Sequence, residues 1–311
     1  MRIAVFSMVF LALIACGKAP VFAADSDVNT QAPAAASTEA PVPALPNCAD
    51  MQEYKCPNCG KTFSLGRRGD SGEAVKCPNC GAEVCKEEKG ISLGADAGFF
   101  SKYVSRGLNY TDAPVFQPDV WASYKGFTLS IWGSMDLTKK NRLAGDFSEF
   151  DYTLDYSNSI GKFSYSAGTI YYNFLNTSAS DTAEVYAGIG YDILLKPKLV
   201  VYYDFWQGDG LYGVVSIRHS FELPEVKGVK SSLDLSAQVG IGSKNMNEYN
   251  FGDSHDAFTD YLLTAAIPVT LTDILSIKPT VSYSSVLDKT IRTKSSLNDN
   301  IIFGGVVSAS F

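Results

Sequence analysis

Beyond its first sixteen residues the chain has no apolar run long enough to cross a bilayer as a helix, and beyond Cys85 it has no cysteine. The first shortage, with a mean hydropathy of +0.00, excludes a helical membrane protein. There are two histidines in 311 residues, so little is available for a nucleophile activated by imidazole. Basic side chains are short too: 26 Lys and Arg stand against 33 Asp and Glu, a net charge of −7. Nucleic acid as a partner needs a basic surface and is excluded on that ground. All seven cysteines fall in the first 85 residues, which divides the chain into two separately built parts.

What the chain has in quantity is aromatic residues, 17 Tyr and 18 Phe, set in segments of about ten residues that alternate polar and apolar. In 127–137, Phe127, Leu129, Ile131, Met135 and Leu137 share one face. Strands of ~9–11 residues with a period of two are what a tilted strand needs to cross a bilayer. A closed barrel also leaves no backbone polar group unpaired. Residues 90–311 therefore predict an all-β fold, an antiparallel transmembrane β-barrel of about twelve strands, from 91–104 to 300–311. Tight turns are expected at 125–126, 157–159, 195–197 and 271–273, and longer polar loops at 105–115, 138–146, 174–181, 243–256 and 285–299. The even parity puts both ends of the barrel in the periplasm.

Residues 1–16 read as a secretion signal. The run ending Leu13-Ile-Ala-Cys16 resembles the lipobox of bacterial lipoproteins, which implies lipidation of Cys16; cleavage at the small residues near Val21-Phe-Ala-Ala24 is the competing reading. Residues 17–47 are Ala, Pro, Ser and Thr, a composition expected to stay unfolded as a tether. In 48–88, Cys56-Pro-Asn-Cys59-Gly60 and Cys77-Pro-Asn-Cys80-Gly81 form a C-x2-C-x17-C-x2-C array, a spacing that suits four thiolates around one zinc ion. The two knuckles and their flanks resemble zinc-ribbon domains. With four ligands the tetrahedron is full and the metal structural. Disulfides, or iron as in rubredoxin, are the alternatives. Cys48 and Cys85 flank the array outside it; a disulfide across its base and two unlinked thiols are the two readings of them.

The terminal Phe311, with Phe303, Val307 and Ala309 at alternate positions, resembles the signal by which outer-membrane barrels reach their assembly machinery. Tyr103-Val-Ser-Arg-Gly107, followed by Pro114-Val-Phe-Gln117, is similar to a large group of proteobacterial outer-membrane proteins of unassigned function. The resemblance implies a cell outer-membrane location, with lipid and the assembly machinery as partners and the N-terminal domain in the periplasm.

Alternation assigns the lumen. Lys102 and Arg106 are expected on the first strand; Trp121, Trp132, Glu149, Asp151, Glu184, Asp204 and Trp206 follow on later ones. Pairing strands across their turns predicts Asp151, Gly168, Gly188 and Asp204 at about one height, Glu149 and Glu184 just above, and Lys102 with Arg106 on the facing wall. Such a transverse field would orient dipolar solutes; the competing reading is charges paired locally. Trp121 and Trp132 are expected directly opposite one another, either packing the interior or offering ring faces to a solute. His219 and Ser220 are adjacent on a strand and so face opposite ways, and His255 lies in a loop without a partner pattern, which argues against an enzyme. The expectation is a passive, porin-like channel for small solutes with a periplasmic zinc ribbon. The alternative is a non-conducting docking protein whose ribbon grips a periplasmic partner.

Overall fold

The computed structural model describes residues 53–56, 61–64, 75–77, 80, 83–85 and 90–311, apart from 227, 228 and 230. The signal with Cys16, the tether, Cys48 and Cys59 lie outside the described residues.

Twelve long strands form the barrel: β1 (Ser92–Phe100), β2 (Val115–Tyr124), β3 (Phe127–Asp136), β4 (Phe147–Ile160), β5 (Phe163–Phe174), β6 (Thr182–Tyr191), β7 (Lys198–Asp204), β8 (Gly210–Glu222), β9 (Ser232–Gly242), β10 (Ala257–Ala266), β11 (Leu275–Val286) and β12 (Asp299–Ser310). Each pairs antiparallel with the next, and β12 returns to β1 with Gly304 opposite Phe100 and Ser310 opposite Gly94. Phe311 finishes the seam: its N–H donates to the Leu93 carbonyl at 2.8 Å, and Leu93 N–H donates back at 3.1 Å. The sheet thus has no free edge, and all its strands find partners within the barrel.

The faces are sorted by chemistry. On β3, Phe127, Leu129 and Ile131 point out, Leu129 with 56% of its surface exposed, while Ser130, Trp132 and Ser134 are buried inside. On β4, Tyr152 and Leu154 point out and Glu149, Asp151, Thr153 and Asp155 point in. An outer wall of Leu, Ile, Val and Phe around buried carboxylates is the inverse of a water-soluble protein. Aromatic rings gather at both ends of the outer wall: Phe127 with Tyr156 and Tyr165 near the short turns, and Tyr171 with Trp206 toward the loops.

The connections differ between the two ends. At one they are 125–126, 161–162, 192–197, 223–231 and 267–274; at the other, 101–114, 137–146, 175–181, 205–209, 243–256 and 287–298. The second set carries structure of its own: a hairpin within 101–114, and the helices α1 (Lys244–Phe251) and α2 (Lys289–Lys294). At the N-terminus Glu53–Lys55 pairs with Thr62–Ser64, and Val75–Lys76 with Glu83–Cys85.

Candidate functional site

The first strand stops at Phe100, short of the expected 104, and the segment after it bends into the barrel. Tyr103–Ser105 and Leu108–Thr111 make a hairpin with Ser105 opposite Leu108. Its two-residue turn, Arg106-Gly107, has positive φ at both positions, 49° and 80°. That is the twist a tight hairpin favours, and glycine adopts it without strain. The hairpin lies inside the lumen, with Tyr103, Val104 and Ser105 buried. Gly107 reaches the wall at β10 and β11, where a Cβ would press on Asp260 and Val286. Polar ties hold it there. Asn109 donates to Asn300 at 2.7 Å and Thr111 to Asp136 at 3.0 Å. Asp112 is clamped by Lys102 at 2.8 Å and by Lys140, which hold its carboxyl down at about 2.

At the tip, the Arg106 guanidinium meets Glu184 of β6 side-on, with Nη1–Oε1 at 2.6 Å and Nη2–Oε2 at 2.7 Å. Tyr172 donates to the same carboxylate at 2.8 Å. The guanidinium also lies over the rings of Tyr202 and Tyr212, 4.8 and 4.6 Å from their centroids. Planar, delocalised and bidentate, arginine suits such a site as lysine would not. Tyr212 donates to Asp260 at 2.9 Å and Tyr186 to Asp155 at 2.6 Å, so this girdle of tyrosines is also hydrogen-bonded. Met246, from α1, drops into the same cluster. Two loop segments therefore fill the barrel at the end where the long connections lie.

Several expectations about the lumen need correction. Arg106 and Lys102 do not form a basic wall facing the acids. The hairpin carries Arg106 across to the acidic side, and Lys102 pairs with Asp112. β4 continues to Ile160 and turns on Gly161-Lys162, so Asp151 lies opposite Tyr172 and Gly168 opposite Asp155. Asp204 lies opposite Glu184, which places these two at one height. Trp132 is opposite Asp119 and Trp121 opposite Ser130, so the two indoles are staggered; Trp121 covers Gly94. Trp206 faces outward beside Tyr171. Asp204 accepts from Thr182 Oγ1 (2.7 Å) and from the N–H groups of Trp206 and Gly208, fastening the 205–209 turn. His255 does have partners, Asp253 at 2.6 Å and Asp288 at 3.3 Å, and these raise its pKa.

Above the Arg106–Glu184 pair lies a chamber of about 680 Å³, lined by Tyr103, Tyr110, Glu149, Tyr172, Phe174, Asp204 and Tyr249 among others. Arg106 is the one cation among the described residues lining it; Glu149, Glu184 and Asp204 are the acids. Sequence reasoning missed the role of Tyr103, Tyr110 and Met246. For the first two the signal is weak: Gly107 marks a turn, but Arg-Gly is not among the residue pairs that favour a two-residue hairpin, and Arg106 takes its positive φ as an exception.

In the N-terminal part, Cys56, Cys77 and Cys80 bring their sulfurs within 4.8 Å of one another. Cys56 Sγ and Cys80 Sγ are 3.7 Å apart. Zinc–sulfur bonds of about 2.3 Å at tetrahedral angles separate sulfurs by roughly 3.8 Å, so this geometry fits a thiolate-bound metal.

No family model matches the chain, and no curated protein matches it. Among solved structures it is similar to the NanC porin, with 12% identity over 69% of this chain and 98% of the porin and a TM-score of 0.43. It is similar also to the beta domain of a Bordetella autotransporter, BrkA (11% identity, 71% and 99% covered, TM-score 0.36). A third is the COG4313 outer membrane channel from Pseudomonas putida F1 (8% identity, 79% and 100% covered, TM-score 0.37). These are remote likenesses to outer-membrane barrels, and the fold rests here on the barrel's own strand register: this chain is a closed, twelve-stranded antiparallel β-barrel.

Proposed function

We propose that the protein is an outer-membrane barrel acting as a passive channel for small solutes, narrowed from within by the Tyr103–Thr111 hairpin. The observation that carries this reading is the hairpin itself. It is folded into the lumen and latched by Arg106 to Glu184, with an acidic chamber above it. An apolar outer wall with aromatic rings toward both ends supports the membrane location. Planar bilayers containing the purified protein should show discrete openings. Arg106→Ala should enlarge them, and Asp151→Asn should lower their preference for cations. The absence of openings from both the native protein and Arg106→Ala would sink the reading.

One observation favours a second reading, a non-conducting docking barrel. Tyr172, Tyr186, Tyr202, Tyr212 and Met246 pack together in the cross-section at the height of Arg106. The silent bilayer just described is what that reading expects.

On our reading Cys56, Cys59, Cys77 and Cys80 hold a structural zinc ion in the periplasm, with Cys16 as the lipidated N-terminus. The close approach of three of these sulfurs supports the metal. Metal analysis of the full chain should find one zinc per molecule, lost in Cys77→Ser. We assign no catalysis: His219 Nδ1 lies 2.9 Å from the Leu194 carbonyl on the outer wall, and His255 is held between two loop aspartates.

A further inference from the structure

Glu149 and Asp151 lie two residues apart on β4 and so face the lumen together. Glu149 lines the chamber; Asp151 is one inward position deeper, 0% exposed, and among the described residues its carboxyl group finds no hydrogen-bonding side chain except that of Glu149 itself. A buried carboxylate without a donor is costly, whereas the neighbouring acids are provided for: Glu184 by Arg106 and Tyr172, Asp204 by Thr182 and two backbone N–H groups.

Aromatic rings surround this pair. At the height of Asp151 its neighbours across the sheet are Trp132 on β3 and Tyr172 on β5; at the height of Glu149 one neighbour is Phe174. The hairpin lays Tyr103 over them, 5.6 Å from Trp132 and stacked on Tyr110 at 5.0 Å. The chamber's one cation, Arg106, is already committed to Glu184. Glu149 is hydrogen-bonded by the Tyr103 hydroxyl, and among the described residues no cation pairs with either acid. Aromatic faces and carboxylates without a counter-charge both attract positive charge, and both do so more strongly away from water. Among the described residues no third metal-ligating side chain converges with these two carboxylates closely enough to share an ion. That disfavours a bare divalent metal and favours an extended cation with an apolar body.

We propose that this aromatic-walled acidic chamber is a binding site for organic ammonium ions, the cationic head on Glu149, with the Asp151 carboxyl buried behind it, and the apolar body against Tyr103, Tyr110 and Phe174. The inference deepens the channel reading, resting on it for what the binding would serve, while the binding itself is measurable without transport.

Full-length protein in detergent micelles is titrated by calorimetry at pH 7 with three probes of one shape: 2-phenylethylamine, 2-phenylethanol and phenylacetate. The amine should bind saturably and at least about tenfold tighter than the alcohol, with the carboxylate weakest, since a charge-assisted hydrogen bond is about twice as strong as a neutral one. Glu149→Gln should bring the amine's affinity down to that of the alcohol and leave the alcohol's unchanged. Equal affinity for amine and alcohol, or no saturable binding of the amine, overturns the proposal. If the variant does not fold, the three probes on the native protein still decide it. Amine binding by a protein that makes no openings would remove the channel and keep the site. Openings without amine binding would do the reverse.

Discussion

The two ends of the lumen are built differently. Toward the long loops, inward positions carry Trp132, Tyr172, Tyr186, Tyr202 and Tyr212, all buried, with carboxylates between them. Toward the short turns β4, β5, β8, β9 and β10 place Ser157, Ser164, Ser166, Ser216, Ser236 and Thr264 inward, and these are half-exposed. Alternation is equally regular in both halves, so a single periodicity produces a plugged section and an open one. The difference comes from side-chain volume and from what the loops insert. The wall supplies tyrosines, and the connections supply Arg106 and Met246 to fill the gap among them.

The sharpest way to break this contrast is Arg106→Ala. It leaves Glu184, 2% exposed, without its cation in a section screened from water. Removing one partner of a buried pair costs about 3–5 kcal/mol, far more than the pair contributes over an apolar replacement. The denaturant midpoint of the refolded barrel should fall accordingly. Arg106→Ala combined with Glu184→Ala should recover much of the loss, and a double-mutant cycle would measure how much. If the single variant unfolds like the native protein, the latch is not what closes the plugged half.

Gly240→Val tests the wall of the same half. A Cβ there would run into the Tyr212 hydroxyl and the Asp260 carboxylate, which hydrogen-bond to each other. Overpacking of this kind costs roughly 1–3 kcal/mol. In the open half, Ser236→Ala should stay within about 0.5 kcal/mol, as substitutions away from packed sites usually do. A loss at Ser236 as large as that at Gly240 would erase the distinction between the two ends.

The sequence makes the walls of this barrel legible because a period of two is local: Leu129 and Trp132 on β3 can be assigned to opposite faces from their neighbours alone. Heights around the barrel are not local. They depend on where each turn falls, and turning at Gly161-Lys162 rather than at 157–159 is enough to set Asp151 against Tyr172. The inserted hairpin was harder still to read. Only Gly107 marks its turn in the sequence, and the partner of Arg106, Glu184, lies 78 residues away with nothing local joining them. A long connection is expected outside a barrel. This one turns inward and buries Tyr103 and Val104, which would otherwise be left in water.

The smallest expected effect lies at the rim above the plugged half, where His255 joins the loop after α1 to the Asp288 cap of α2. Asp253 and Asp288 raise the pKa of the imidazole above its ordinary 6.5, and Asp288 is itself lowered, by the Ile291 N–H first and then by His255. A histidine raised on folding gives its full stabilisation below about pH 6.5 and loses it as the pH climbs through the higher folded value. The tie should therefore hold in mild acid and loosen in mild alkali. Amide hydrogen exchange in 243–256 and 287–298, corrected for intrinsic rates, should quicken across that window while the β4 and β6 amides stay unchanged. His255→Asn should flatten the dependence. An equal response in β4 would mean that rim and plug open together, and that the boundary between loops and lumen lies deeper than the hairpin.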